Sequence, residues 1–333
     1  MRILSSPPRA VIDPSTQQPR FGSFRGSLPR VDFAPLGKGR LYRRTHHKRW
    51  MYVAIASDEL FVVAVVVDLG YLMTAFTFAQ ITGERGLRVD HSVIGPPGSG
   101  EVNDTAGEGS VARLRLGRSS LRIARPIGAD HYTVDVDVKD LVVRARVDAA
   151  AAPPAISMIA APPGGLVSAT EKRVLLGATG EAIVGGKRWS LDGALAGYDY
   201  TNGYLARRTS WKWAFALGRA RTGERVALNL TEGFVGEAEC AVWIDDELYP
   251  ASEGRFDFDL ASPMNPWRVG SADGAVDLRF EPAGIHAEHK NFGIIASRFI
   301  QPVGVFRGTI RAGGREFEMD RVPGVVEDQE VLW

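Results

Sequence analysis

Cysteine is almost missing from this chain of 333 residues, with Cys240 the only one. A lone thiol forms no intrachain disulfide and no multi-cysteine metal site, which excludes a stapled secreted scaffold and a zinc ribbon. An excess of either charge is missing as well, because 40 basic residues meet 39 acidic ones for a formal net charge of +1. That balance supplies no field to draw in a phosphate backbone or an anionic lipid surface, so nucleic acid is not an expected partner. Long apolar runs are absent. The most apolar stretch, LFVVAVVV at 60–67, is closed by Asp58-Glu59 and Asp68 and falls far short of the ~20 residues a membrane-spanning helix needs. The amino terminus, MRILSSPPRAVIDPSTQQPRFG, is polar and proline-rich, without the continuous apolar segment of a secretory signal. No integral membrane association is expected, and the expected location is cytoplasmic.

Familiar catalytic motifs are also lacking. GSGEVNDTAGEG at 98–109 is rich in glycine but has no Gly-Lys-Ser/Thr and opens no helix, so it reads as a flexible surface loop. No Gly-x-Ser-x-Gly elbow occurs. His286 and His289, in GIHAEHKNFG, are the nearest approach to a metal pattern, but a three-residue offset in an extended chain sends them to opposite faces. No metal site is expected.

What the chain does have is glycine (37), proline (19) and 45% hydrophobic residues, with the segments between the breakers alternating at period two. In HYTVDVDVKD, Tyr132, Val134, Val136 and Val138 share one face, and Lys139-Asp140 turns the chain into LVVRARVD. RWMYVAIASDELFVVAVVVDLG reads as a hairpin about Ser57-Asp58-Glu59 whose second strand is apolar on both faces, as a centrally buried strand must be. No long helix is expected. Length beyond one ordinary core points to two domains, and antiparallel meanders of this kind close into barrels or pack as sandwiches to hide their edges. Residues 1–30 read as an extended arm, and the proline-rich 148–165 as a crossing inside or beneath the first unit.

One segment gathers unusual chemistry. In SLDGALAGYDYTNGYLARRTSWKWAFALG, Trp211, Trp213, Phe215 and Leu217 share one face of a strand while Lys212, Ala214 and Ala216 share the other. The aromatic face must point inward, where it either fills a barrel or lines a site. Upstream lie Asp199 between Tyr198 and Tyr200, then Arg207-Arg208. A carboxyl enclosed by rings resists ionisation and is suited to act as an acid. The competing reading of Asp199 is a turn residue capping its own backbone ahead of Asn202-Gly203.

The stretch from Ala169 to Gly233, with Thr170-Glu171-Lys172, Asp199, Arg208, Trp211 and Trp213 at their spacing, together with ASRFIQPVGVFRGTI and VPGVVEDQEVLW near the carboxyl end, resembles the bacterial family known as domain of unknown function 2804. At greater distance it is similar to carotenoid hydratases, AttH-like proteins and fungal lipocalin-like cyclases. The resemblance implies an all-β fold of two antiparallel lipocalin-like, or calycin, β-barrel or sandwich domains with few helices: a first domain over 31–205 and a second over 206–333. It implies an apolar cleft in or between them and no cofactor. Asp199 takes the place of the family's aspartate, and Trp211 and Trp213 take those of its paired tryptophans. Ala194 and Tyr200 stand where a tryptophan and a histidine partner of that acid would lie.

The expected ligand is a hydrophobic small molecule of isoprenoid, polyene or lipid-like type. In a hydrating, isomerising or cyclising enzyme, Asp199 would be the acid, with Tyr198, Tyr200 and Trp213 steadying positive charge through their ring faces. Arg207 and Arg208 would anchor a terminal carboxylate, and Lys172 and Asn229 would add polar contacts. A carrier with the same cleft and no turnover, and a structural module without a ligand, are the other readings.

Overall fold

The structure, a computed structural model, describes residues 3–333 except 292 and 294. Among the described residues the only α-helix is Arg40–His46, and no helix is long and apolar enough to cross a membrane. All else that is regular, two short 3-10 turns apart, is antiparallel strand.

Two sheets account for it. The path of the first runs from Val89–Gly95 through Met73–Ile81, Leu60–Asp68, His47–Ala56, Ala194–Tyr204, Val167–Val184, Leu141–Asp148, His131–Val138, Ser119–Arg125 and Ser110–Leu116 to Gly100–Val102. Its two end strands are consecutive in the chain, so the sheet curls round on itself, as a lipocalin-like barrel does. The second, nine-stranded sheet begins at Arg208, centres on Arg208–Arg219, Arg315–Leu332 and Ala296–Ala312, and curls in the same manner. Gly313 and Gly314, both left-handed at φ 58° and 75°, make the two-residue turn between its longest strands. The described part of the segment 1–30 is docked rather than free. Gly22–Arg25 pairs with Ile156–Ala160, a strand inside the proline-rich crossing, and Ser23 Oγ donates to Ala238 O, in the 3-10 turn Gly236–Glu239 that follows Arg225–Gly233 of the second sheet, at 2.5 Å.

Period-two patterning explains how the barrels meet. In Leu60–Asp68, Leu60, Val62, Ala64 and Val66 fill the first barrel, while Phe61, Val63 and Val65 face the second. Its two-sided apolarity therefore marks a strand between a lumen and an interface. The same logic decides between the two readings of the aromatic face of Trp211 to Leu217, against the one in which it fills its own barrel. Ala214 and Ala216 face that lumen, and Trp213, Phe215 and Leu217 face the other barrel. Methyl groups fit a narrow barrel already holding Trp267, Phe280 and Phe306, whereas rings fit a seam between two curved surfaces. Close approach is permitted by Gly197, where a Cβ would meet Phe215 Cζ at 2.7 Å, and by Gly284, where one would meet the Gly86 carbonyl carbon at 2.9 Å. His286 crosses the seam to Asp90 at 2.6 Å and stacks on Phe76, while His289 is exposed on the other face.

The loop 98–109 is another correction. Rather than a free tip, it is tied to the first barrel: Tyr132 and Tyr200 hydroxyls donate to its carbonyls at Ala106 and Asn103, and Arg49 pairs with Asp104. Because Val63 lies wholly within the seam, Val63→Thr is expected to lower unfolding free energy by about 1–2 kcal/mol in urea titrations, whereas barrels that did not pack would leave this change neutral.

Candidate functional site

Between the barrels the seam opens into a cavity of about 300 Å3. Its first wall is the outer face of three neighbouring strands. Strand pairing sets Lys172, Asp199 and Tyr52 in one row and Thr170, Thr201 and Trp50 in the next. The facing wall carries a row of Thr231, Trp213 and Glu327 and a row of Gly233, Trp211 and Gln329. Trp50 of one barrel stacks with Trp211 of the other at 5.9 Å, and Tyr52 meets Trp213 edge-on at 5.1 Å. Phe76, Phe299 and Trp333 extend the apolar lining.

Set into these rings is a compact polar group. Lys172 Nζ contacts Asp199 Oδ1 and lies 3.3 Å from Glu239 Oε2. Glu239 comes from the 3-10 turn Gly236–Glu239 and is bridged by hydroxyls of both barrels, Thr170 at 2.9 Å and Thr231 at 3.0 Å. Burial opposes the Lys172 charge, yet Asp199 and Glu239 outweigh it and hold the amine above its ordinary value. Burial raises the Asp199 carboxyl, with Lys172 working against the rise and Glu239 with it. One lysine thus meets two carboxyls.

A third carboxyl has no cation of its own. Glu327 Oε1 accepts from Trp211 Nε1 at 2.7 Å and Oε2 from Gln301 Nε2 at 2.6 Å, and both donors are neutral. Burial drives this carboxyl up to about 7, the two hydrogen bonds only partly offsetting it and nearby Asp199 adding to it. The folded state therefore keeps a proton between about 4.5 and about 7 that the unfolded chain has released, and stability falls as pH rises through that window. Glu327→Gln removes the dependence. Relative to wild type, the variant is expected to gain about 2–3 kcal/mol between roughly pH 5 and pH 8 in urea unfolding; parallel curves for the two proteins would refute the shift.

The residues singled out in the sequence divide sharply. Asp199, Lys172, Trp211 and Trp213 line the cavity. Asn229 stands behind it, fully buried, accepting from Trp213 Nε1 at 2.7 Å and donating to Glu239 O at 2.8 Å. Tyr198 and Tyr200 do not join Asp199: strand alternation turns them into the first barrel, where Tyr198 donates to Glu171 at 2.5 Å. Nor do the arginines reach the cavity. Arg207 donates to the Trp333 carbonyl at 2.9 Å, and the largely exposed Arg208 lies 3.8 Å from Glu330. Reading Asp199 as a cap for the turn at Asn202-Gly203 also gives way, since 194–204 is continuous strand. Glu327, Glu239, Tyr52 and Trp50 also line the cavity, and the sequence reading does not single them out. Period two in RWMYVAIA sets Trp50 and Tyr52 on one face and was the available signal; Glu239 sits in a turn without periodicity.

The same architecture occurs in solved proteins. A putative AttH from Nitrosomonas europaea aligns with a TM-score of 0.52 at 12% identity, over 86% of this chain and 92% of that one. Kievitone hydratase from Nectria haematococca aligns with a TM-score of 0.50 at 10% identity, over 87% and 90%. CghA with Sch210972 aligns with a TM-score of 0.53 at 13% identity, over 99% and 97%. At such identities the likeness concerns the fold. No curated protein matches the chain in sequence. The model of the family described as Domain of unknown function (DUF2804) matches residues 6–333, and the chain belongs to that family.

Proposed function

We propose that the chain binds a hydrophobic small molecule in the cavity between its barrels and converts it by proton transfer, in a hydration, isomerisation or cyclisation. The observation that carries this reading is a pair of buried carboxyls, Asp199 and Glu327, contributed by different barrels to one aromatic-walled cavity, of which only Asp199 has a cation. Two titratable groups in unlike surroundings, one paired with a lysine and one held by neutral donors, are what an acid and a base require. Glu327 is the acid, because it keeps its proton near neutrality. Asp199, paired with Lys172, is the base or the stabiliser of developing positive charge. The faces of Trp211 and Trp213 add to that stabilisation.

Among the described residues the lining holds no arginine, and its four carboxyls, Asp199, Glu239, Glu288 and Glu327, outnumber its two lysines, Lys172 and Lys290, so the cavity favours a neutral ligand over a fatty-acid carboxylate. The likeness to kievitone hydratase supports a hydration-type reaction as one member of the class. The test is to incubate the protein with fractionated apolar extracts and follow retained molecules and their conversion by liquid chromatography with mass spectrometry, which detects a hydration by its added mass and an isomer or a cyclised product by its changed retention. Turnover is expected with wild type and lost with Glu327→Gln; retention by both proteins with neither a new mass nor a new isomer would leave a carrier and refute the enzyme.

A further inference from the structure

Two hydroxyls in the cavity wall are left over by the network just described. Tyr52 Oη and Thr201 Oγ1 are both buried, and neither has a hydrogen-bond partner among the described residues. Their neighbours are otherwise satisfied. Thr170 is spent on Glu239, Trp211 on Glu327, Trp213 on Asn229 and Lys172 on its two carboxyls. Because Tyr52 pairs with Asp199 and Trp50 with Thr201, the two side chains are diagonal neighbours on one face of adjacent strands.

A buried hydroxyl without a partner is costly, and two side by side in an apolar wall are rarely left so. Burial, and then the Glu327 and Asp199 charges, hold the Tyr52 phenol well above its ordinary value, so it keeps its proton and remains a donor. Thr201 both donates and accepts. A carbonyl oxygen satisfies two donors at once through its two lone pairs, and a ligand hydroxyl satisfies a donor and an acceptor. The rest of the lining is mainly aromatic and aliphatic, its further charges Glu288 and Lys290 being paired with each other, which fits an extended, uncharged carbon skeleton.

We propose that Tyr52 and Thr201 form an oxygen-recognition pair, and that the ligand is a neutral ketone, enone or alcohol whose oxygen lies between them while its apolar body lies against Trp211 and Trp213. This rests on the cavity being the ligand site. The pair fixes the end of the molecule that stays still, and so determines which carbons come under Asp199 and Glu327.

The test uses two matched neutral probes, 1-acetonaphthone and 1-ethylnaphthalene, which share shape and differ in the oxygen. Binding is read by calorimetry for wild type, Tyr52→Phe, Thr201→Val and the double variant. Wild type is expected to bind the ketone about tenfold or more tighter than the hydrocarbon, each single variant to lose most of that preference, and the double variant to bind both alike, with hydrocarbon affinity unchanged throughout. Because the variants remove unpartnered hydroxyls, they should melt at or above the wild-type temperature. Equal binding of both probes to wild type, or a ketone preference that survives the double substitution, would overturn the pair while leaving the cavity as the ligand site. A markedly lower melting temperature in the variants would show that the hydroxyls serve the fold and would overturn it too. Failure of both probes to bind would instead strike at the cavity reading, and the inference would fall with it.

Discussion

Lys172→Met is expected to cost the protein about 3–5 kcal/mol of folding stability, the scale for removing one partner from a buried charged group. The lysine side chain is 3% exposed and answers two carboxyls, Asp199 and Glu239, whose own exposures are 11% and 5%. Methionine keeps most of the volume and loses the charge, so the loss is electrostatic rather than a cavity. Glu239 is also the point at which Thr170 of one barrel and Thr231 of the other meet, so the damage should centre on the seam. Urea unfolding measures the cost, and a control separates its cause. In Lys172→Met/Asp199→Asn/Glu239→Gln no carboxylate is left uncompensated, and most of the loss should be recovered, since neutral replacement of a whole buried ionic group is often near neutral. A single-variant cost below about 1 kcal/mol would mean that the group is hydrated and behaves as a surface pair.

Glu327→Gln should have the larger effect on chemistry. An amide preserves shape and can still accept from Trp211 Nε1, but it has no proton to give. Turnover is expected to fall by ~10²–10⁴, the usual contribution of a positioned acid, while ligand affinity stays within about twofold because the aromatic contacts are untouched. Steady-state kinetics on a substrate converted in the extract assay would put the change in kcat. A loss confined to KM would make Glu327 a binding residue. By the argument from proton uptake the same variant is expected to gain stability relative to wild type as pH rises, and urea unfolding at the assay pH separates a drop in activity from unfolding.

Much of the fold is written in simple alternation. Leu60–Asp68 announces its two buried faces, and the hairpins about Ser57-Asp58-Glu59, Lys139-Asp140 and Gly313-Gly314 are visible as breaks in the pattern. What alternation does not say is what each face meets. The Trp211 to Leu217 face satisfies an inward reading equally well in a lumen and in a seam; only the small residues opposite it, Ala214 and Ala216, hint at the narrow lumen.

The site follows the same rule. Asp199 is legible as an enclosed acid, but adjacency in the chain points to the wrong companions, since neighbours along a strand point away. Its true neighbours, Lys172 and Tyr52, lie across the strand pairings, and the register to Lys172 runs beside an irregularity between Arg173 and Leu176 that no local pattern discloses. Glu327 lies still further off, opposite Trp213 in a strand near the carboxyl end. Long-range register, not composition, assembles this cavity.

The most direct measurement compares what small molecule, if any, accompanies the protein through detergent-free purification in wild type and in Val67→Trp, which places an indole in the cavity from its wall. Native mass spectrometry should find a neutral apolar adduct on wild type and none on the filled variant, with both proteins showing the same circular dichroism. An adduct that persists when the cavity is filled, or a wild-type protein that takes up no apolar molecule even from a saturating extract, would contradict the account.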